Sequence, residues 1–402
     1  MIKNKICVIG LGYVGLPIFI QLSKYFSTYG YDINKKRIKD LKDGNDKNNE
    51  FKRSELKKNS KNFLFDLKNE DFNFYIVTVP TPIFANKKPD LNPLKSAIYD
   101  ISKKIKREDI VIIESTVYPG VTEDICAKIL KKKNLYTPKD FIIGYSPERI
   151  NPGDKKHELG FINKIISINS NNRFIKKRVK QVYEKISKKL IFTKSIKEAE
   201  TAKAIENIQR DLNIGFINEI YKFCEVMKLN FNEVIRLART KWNFMSFSPG
   251  LVGGHCLPVD PYYLSYIARK NRMNMKILLA GREVNNSMKK YLIKQIKKRL
   301  FQLKYDYKKK RLIFLGITYK PNVSDIRNSL ALDIVKHFIG HNKNVKFYDP
   351  IANLENKELL KHSLENLTNS NNNEIFIILV KHKIFKKNKK ILKSKNLLKV
   401  FE

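Results

Sequence analysis

Four residues of this chain are of the types that can carry an alcohol past the aldehyde to an acid. Cys256 and Asp260 lie four positions apart in GLVGGHCLPVDPYYL (250–264), and Lys203 and Asn207 lie four apart in ETAKAIENIQRDL. A thiolate adds to an aldehyde to give a thiohemiacetal, itself an oxidisable carbinol, so one cysteine turns a two-electron oxidation into a four-electron one. The spacing of Lys203 and Asn207 places both on one helix face, where an ammonium and an amide can donate to oxygen as negative charge develops on it. Each residue also has a plainer reading. A free cysteine is commonly a small apolar residue in a turn, and Lys203 on its own reads more readily as a solvated lysine.

Such chemistry needs an electron acceptor. The first apolar run, KICVIG, leads into GLGYVG with Gly10, Gly12 and Gly15 at dinucleotide-binding spacing. Gly10 suits the tight turn, Gly12 lets backbone approach a pyrophosphate, and Gly15 permits close helix–strand packing. Asp32, 22 positions after Gly10 in YGYDIN, is placed to accept the ribose hydroxyls. An acidic residue there repels a 2′-phosphate, which favours NAD over NADP, although Arg37 nearby could favour the phosphate.

The elements that must position these residues alternate in type. Strands are expected at 5–10, 74–80, 109–116, 141–146 and 164–169, together forming a parallel sheet with crossover helices. From about residue 195 one long helix is expected, with Ile205, Ile208, Leu212, Phe216, Ile220 and Phe223 at steps of three and four as its apolar stripe, turned away from Lys203 and Asn207. Strands return at 310–320, 344–350 and 373–380. The fold class is α/β, with two doubly wound Rossmann-like domains joined by a long central helix. Expected boundaries are 1–194 for the NAD-binding domain, 195–300 for the helical part carrying the Cys256 loop, and 301–402 for a second α/β domain. That last domain has only Gly316 at the equivalent turn, which argues against a second dinucleotide bound in the same way.

Composition narrows the class. The 402 residues carry 80 Lys and Arg against 39 Asp and Glu, a formal charge of +41. Such a charge suits a nucleic-acid binder, but the lysines are spread among asparagines without an aromatic-interleaved patch, so no nucleic-acid partner is expected. A basic surface also attracts phosphate-bearing substrates. No apolar run reaches the roughly 18 residues of a membrane span, so a cytoplasmic protein without membrane insertion is expected. Four scattered cysteines and six histidines suggest neither a disulfide framework nor a metal site.

In order along the chain stand GLGYVGLP, VPTPI, ESTVYPG, GYSPERINPGDKKH, IENIQRDLNI, KWNF, GLVGGHCLPVDPYYL and GITYKPNVSDIRNS. Together these blocks resemble the UDP-glucose/GDP-mannose dehydrogenase family, and within it the bacterial UDP-N-acetylhexosamine 6-dehydrogenases that make uronic acids for surface polysaccharides. The resemblance implies an NAD domain, a central helix that builds a homodimer, and a UDP-binding C-terminal domain. It makes Cys256 the nucleophile and Lys203 and Asn207 the oxyanion donors. Asp260 and Thr116 would order the water, and Glu148 would be the acid–base group that releases the thioester. It assigns Gly10, Gly12, Tyr13, Val14, Gly15, Asp32, Arg37, Thr81, Thr116 and Arg327 to NAD. To the UDP-sugar it assigns Glu148, Arg149, Lys203, Asn207, Gly253 and Lys320, with Tyr262 and Tyr263 either walling the sugar or packing. His255 adjoins Cys256 and is poorly placed to act as its base.

Some positions depart from the family pattern. Ser324 stands where relatives carry an acid, Leu330 where many have proline, and Lys241 is the candidate for the arginine a neighbouring subunit contributes. His255 and Val259 match the N-acetylhexosamine enzymes better than the UDP-glucose ones. The expected substrate is therefore UDP-GlcNAc or UDP-GalNAc, with UDP-ManNAc or UDP-glucose as alternatives.

Overall fold

The computed structural model describes residues 4–48, 50–68, 70–131, 135–149, 159–304, 306, 310–341, 344–367, 374–387 and 397–401. Residues 150–158, the later part of the SPERINPGDKKH stretch, lie outside them. The chain forms two units, each discontinuous in sequence: 1–206 with 262–273, and 207–261 with 274–402.

The first unit is built on eight strands: β1 Lys5–Ile9, β2 Ser27–Tyr31, β3 Phe63–Leu64, β4 Phe74–Val77, β5 Ile110–Ile113, β6 Ile142–Tyr145, β7 Asn163–Ile168 and β8 Lys189–Thr193. Their spatial order is β3-β2-β1-β4-β5-β6-β7-β8. β4, β5 and β6 are buried at every position, as unbroken apolar strands covered on both faces must be. Strand order reverses between β1 and β4, the switch point where doubly wound sheets open a crevice at their carboxyl ends.

Two features differ from the sequence expectation. β2, β3 and β8 were not foreseen, because STYGY and KLIFT lack the long apolar run of a central strand and β3 is only two residues long. The sheet is also not wholly parallel: β7 pairs antiparallel with β6, Gly144 against Ile168, while β7 and β8 run parallel. Gly144 permits the close approach, since a side chain there would meet the Ser167 carbonyl at 2.5 Å.

The second unit holds a four-stranded sheet of β9 Arg311–Leu315, β10 Val345–Tyr348, β11 Glu374–Ile378 and β12 Leu397–Lys399, in the order β10-β9-β11-β12. All three pairings are parallel. The helix Lys276–Gln302 lays Met288, Leu292, Ile296 and Leu300 at four-residue steps into the core beside β9 and the helix Leu330–His341.

The central helix runs from Ile196 to Met227 as one element of 32 residues. Its expected apolar stripe is only partly inside: Ile208 is buried and Leu212 and Ile220 are half-buried, but Ile205, Phe216 and Phe223 are about half exposed, and Val226 and Met227 continue the exposed row. The buried residues of the helix are Glu200, Lys203, Ala204, Ile208, Asp211, Ile217, Asn218, Tyr221 and Cys224. Polar groups on this face pair with one another. Asp211 accepts from Arg282 at 2.6 Å and from Asn285 at 2.8 Å, and the Asn218 amide donates to Asn285 at 2.8 Å. Burial nevertheless pushes the Asp211 carboxyl up to about 6 against the pull of Arg282. Among the described residues no helix is long and apolar enough to cross a membrane.

Candidate active site

The turn after β1 has the geometry a pyrophosphate needs. Gly10 takes a φ of +91° and donates its N–H to the Tyr31 carbonyl. A side chain at Gly15 would stand 1.9 Å from the Gly10 carbonyl, whereas one at Gly12 would meet nothing within 4 Å. The turn is thus closed on its sheet side and open at Gly12, the position where a phosphate approaches. Tyr13 and Val14, beside it, are half-buried.

Asp32 follows β2 and accepts from the Leu11 N–H at 2.8 Å and the Asn34 N–H at 2.9 Å. Arg37 does not stand free to receive a 2′-phosphate. Its Nε donates to the Leu11 carbonyl at 3.0 Å and its guanidinium pairs with buried Asp46 at 3.0 Å. These residues fit NAD.

Across the switch point, the Thr81 hydroxyl donates to the Thr116 carbonyl at 2.6 Å. Beneath them lies Tyr263, whose hydroxyl donates to the Thr81 and Pro82 carbonyls at 2.8 and 3.1 Å. Tyr263 is 1% exposed, its hydroxyl held by that loop. Tyr262 is half-buried, with Lys87 over its ring.

Glu148 follows β6 and is buried. One carboxylate oxygen accepts from the Arg149 N–H at 2.6 Å and the other from the Lys164 ammonium at 2.8 Å. Lys164 also reaches Glu114 at 2.7 Å. The Arg149 guanidinium turns away to Glu206. Lys164, Glu114 and Tyr183 escape a sequence reading: a lysine in KIISIN looks like a strand's solvated face, and its partner lies 50 residues earlier. Lys203 closes this unit's set. It is buried on the central helix, contrary to the solvated alternative.

In the second unit the structure brings Cys256, Asp260 and Asn207 together. Cys256 is exposed, while Cys7, Cys126 and Cys224 are buried; burial pushes the Cys7 thiol well up and that of Cys126 up to about 12, leaving both inert. The Cys256 carbonyl accepts from the Val259 and Asp260 N–H groups at 2.9 Å. That tight turn starts the helix Asp260–Lys270, and Asp260, buried at its first position, accepts from the Asn207 side-chain amide at 2.6 Å. The glycine pair before Cys256 is equally constrained. A side chain at Gly253 would stand 2.5 Å from the Asn328 carbonyl, and one at Gly254, where φ is +90°, would strike the Tyr319 ring at 2.8 Å.

His255 points its ring at Asp325, 3.1 Å away, not toward a role as base for Cys256. Arg327 grips the same carboxylate, with its closest contact at 2.7 Å. Burial raises the Asp325 proton affinity, but hydrogen bonds from His255 and Arg327 carry it well below the ordinary carboxylate range.

A cavity of about 810 Å³ opens in this unit between the helix Phe231–Ala238, the 247–251 loop and the turn after β9. Arg236, Arg239, Lys320 and Lys381 bring positive charge to it, and Phe231 and Phe247 bring aromatic surface. Its volume lies in the usual range for small-molecule sites. The turn that presents Lys320 is held by Asp349, which accepts from the Ile317 and Thr318 N–H groups at 2.7 and 3.3 Å and pairs with buried His382 at 3.0 Å. Asn322 N–H donates to Nδ1 of His382.

Comparison with known proteins gives a consistent picture. Three domain models of the UDP-glucose/GDP-mannose dehydrogenase family match the chain in order: the NAD binding domain over residues 4–187, the central domain over 197–287 and the UDP binding domain over 313–400. The chain is 44% identical over 355 residues to a UDP-N-acetyl-D-glucosamine 6-dehydrogenase from Pseudomonas aeruginosa, covering 87% of this chain and 84% of that one. It is 35% identical to a UDP-N-acetyl-D-mannosamine dehydrogenase from Methanocaldococcus jannaschii, covering 99% and 93%. Among solved structures, a UDP-D-ManNAc dehydrogenase from Pyrococcus horikoshii superposes with a TM-score of 0.83 at 29% identity, covering 98% of this chain and 94% of that one.

Proposed function

The chain belongs to the UDP-glucose/GDP-mannose dehydrogenase family, and from that membership as an NAD-dependent nucleotide-sugar dehydrogenase we propose that it oxidises C6 of a UDP-N-acetylhexosamine to the carboxylate. The observation that carries the chemistry is exposed Cys256 one turn from buried Asp260, whose N–H donates to the Cys256 carbonyl and whose carboxylate accepts from Asn207.

NAD, when bound, supplies hydride acceptance at C6 in both oxidations, and Gly10, Gly12, Asp32 and Thr81 are the residues proposed to hold it. The rest falls to the chain's side chains. Lys203 and Asn207 donate to the C6 oxygen as it gains negative charge, and their low-dielectric setting strengthens that contact. Cys256 adds to the aldehyde carbon, so the intermediate stays on the protein as a thiohemiacetal and then a thioester. Asp260 and Thr116 order the water that attacks the thioester, and Glu148 takes the proton from it. Lys320 and the basic cavity receive the diphosphate. Arg327, already paired with Asp325, is proposed as a contact to the cofactor.

Among sugars, UDP-GlcNAc is the first choice, supported by the 44% identity to an enzyme of that name and by His255 and Val259 in the Cys256 loop. UDP-ManNAc is the second reading, favoured by the Methanocaldococcus and Pyrococcus relatives. UDP-GalNAc shares the chemistry of the first. The test is to incubate protein and NAD with UDP-GlcNAc, UDP-GalNAc, UDP-ManNAc and UDP-glucose and to follow NADH. UDP-glucose should be at least ~10-fold worse in kcat/KM, about 1.4 kcal/mol, which one acetamido contact can supply. If UDP-glucose is the best of the four, the N-acetylhexosamine reading is wrong.

A further inference from the structure

Lys164, on β7, has a side chain 0% exposed. A buried ammonium is costly unless its charge is matched and its three protons are received. Two are received by carboxylates: Glu114, just past β5, at 2.7 Å, and Glu148, past β6, at 2.8 Å. Glu114 is anchored on its far side by the Tyr183 hydroxyl at 2.7 Å, and Tyr183 is itself fully buried. The set spans three strands and the helix Arg173–Tyr183. Glu148 is therefore gripped from both sides, by Lys164 on one oxygen and by the Arg149 N–H on the other. Arg149 sends its own guanidinium to Glu206.

We propose that Lys164, backed by Glu114 and Tyr183, is the positioning residue that orients Glu148 and sets its charge for release of the acyl group from Cys256. This rests on the reading of Glu148 as the acid–base group. In that step a water oxygen adds to the thioester carbon while one water proton passes to Glu148. The tetrahedral adduct then collapses, breaking the C–S bond; the electron pair leaves on the Cys256 sulfur, and the product acid ionises. Glu148 must begin ionised and correctly aimed.

Two carboxylates joined through one ammonium titrate as a pair. Burial, and then the Glu148 charge, push Glu114 up to about 7 against the pull of Lys164. Lys164 stays protonated because both carboxylates outweigh its burial. Within this set, the Lys164 ammonium and the Arg149 N–H favour the ionised form of Glu148, and the Glu114 carboxylate disfavours it.

The experiment is the pH profile of kcat with intact-protein mass spectrometry of quenched turnover, on the full chain with NAD and the best sugar nucleotide. Lys164→Met should move the acid limb up by about one pH unit or more, the scale for losing an adjacent opposite charge, and should leave acyl-protein on Cys256. Lys164→Arg should return the limb toward wild type. Glu114→Gln, which keeps the shape and removes the like charge, should move the limb down. If Lys164→Met does not fold, Glu114→Gln decides alone: an unmoved limb overturns the proposal. Glu148→Gln separates the two readings. Wild-type turnover in that variant removes the acid–base assignment itself. Slow turnover with acyl-protein, together with unmoved limbs in the Lys164 and Glu114 variants, leaves that assignment standing and overturns only the role of Lys164.

Discussion

At the scale of single residues, Cys256 makes the sharpest claim. If it holds the intermediate, two NADH form per sugar nucleotide consumed and no free aldehyde appears; one NADH per sugar would contradict the covalent route. Cys256→Ser should cost at least ~100-fold in turnover, as removal of a covalent nucleophile does elsewhere. Lys203→Ala should lower kcat by roughly 10²–10³, the scale for one lost oxyanion donor, with little change in NAD affinity. Near-normal kcat in that variant would leave Lys203 a packing residue. Cys256, Asp260 and Asn207 were legible from type and spacing because their chemistry is unusual for a loop and a helix face. The burial of Lys203 was not, since nothing local separates a buried lysine from a solvated one. Lys164 was hidden for the same reason, and only the pairing of β5, β6 and β7 puts two carboxylates on it.

At the scale of elements, the turns did more to reveal the fold than the strands. Glycine spacing announced the β1 turn, and Gly15→Ala should abolish NAD binding, because its new methyl has no space against the Gly10 carbonyl; unchanged NAD affinity by calorimetry would refute the tight turn. Period-four apolar residues correctly announced the central helix, but not which face lies inside. Its interior face is held by polar pairs such as Asp211 with Arg282, which a hydrophobicity pattern cannot register. In the second unit, Asp349 carries the turn before Lys320. Burial raises its proton affinity, but the His382 hydrogen bond and the backbone N–H groups hold the carboxyl below its ordinary value. A lowered acid stabilises the fold above its unfolded pKa, near 4, and that contribution is lost as pH falls through the folded value. Asp349→Ala should therefore cost about 2–4 kcal/mol at pH 7 through lost buried acceptors, and distinctly less at pH 3, as read by urea unfolding. An equal cost at both pH values would assign the loss to packing alone.

At the scale of the molecule, the exposed row on the central helix asks for a cover. Phe216, Phe223, Val226 and Met227 of this helix are each more than half exposed, and clustered apolar exposure of that kind marks association surfaces. A homodimer closed through this row is the proposal, and Phe223→Glu should shift sedimentation from twice 47.1 kDa to the single-chain mass. A wild-type protein already at the single-chain mass would defeat it. The three-part division at 194 and 300 also remains a proposal about how the chain is organised, beside the two spatial units described above. Those units have a consequence for the order in which the protein is made. Residues 262–273 complete the unit that begins at residue 1, and Tyr263 is what braces the Thr81 loop from below. A ribosome delivers the first 206 residues long before that brace. A nascent chain stalled short of Tyr263 should therefore present the glycine turn and Asp32 with an unsupported Thr81 loop, and gain full affinity for NAD only once the Cys256 loop, too, has been translated.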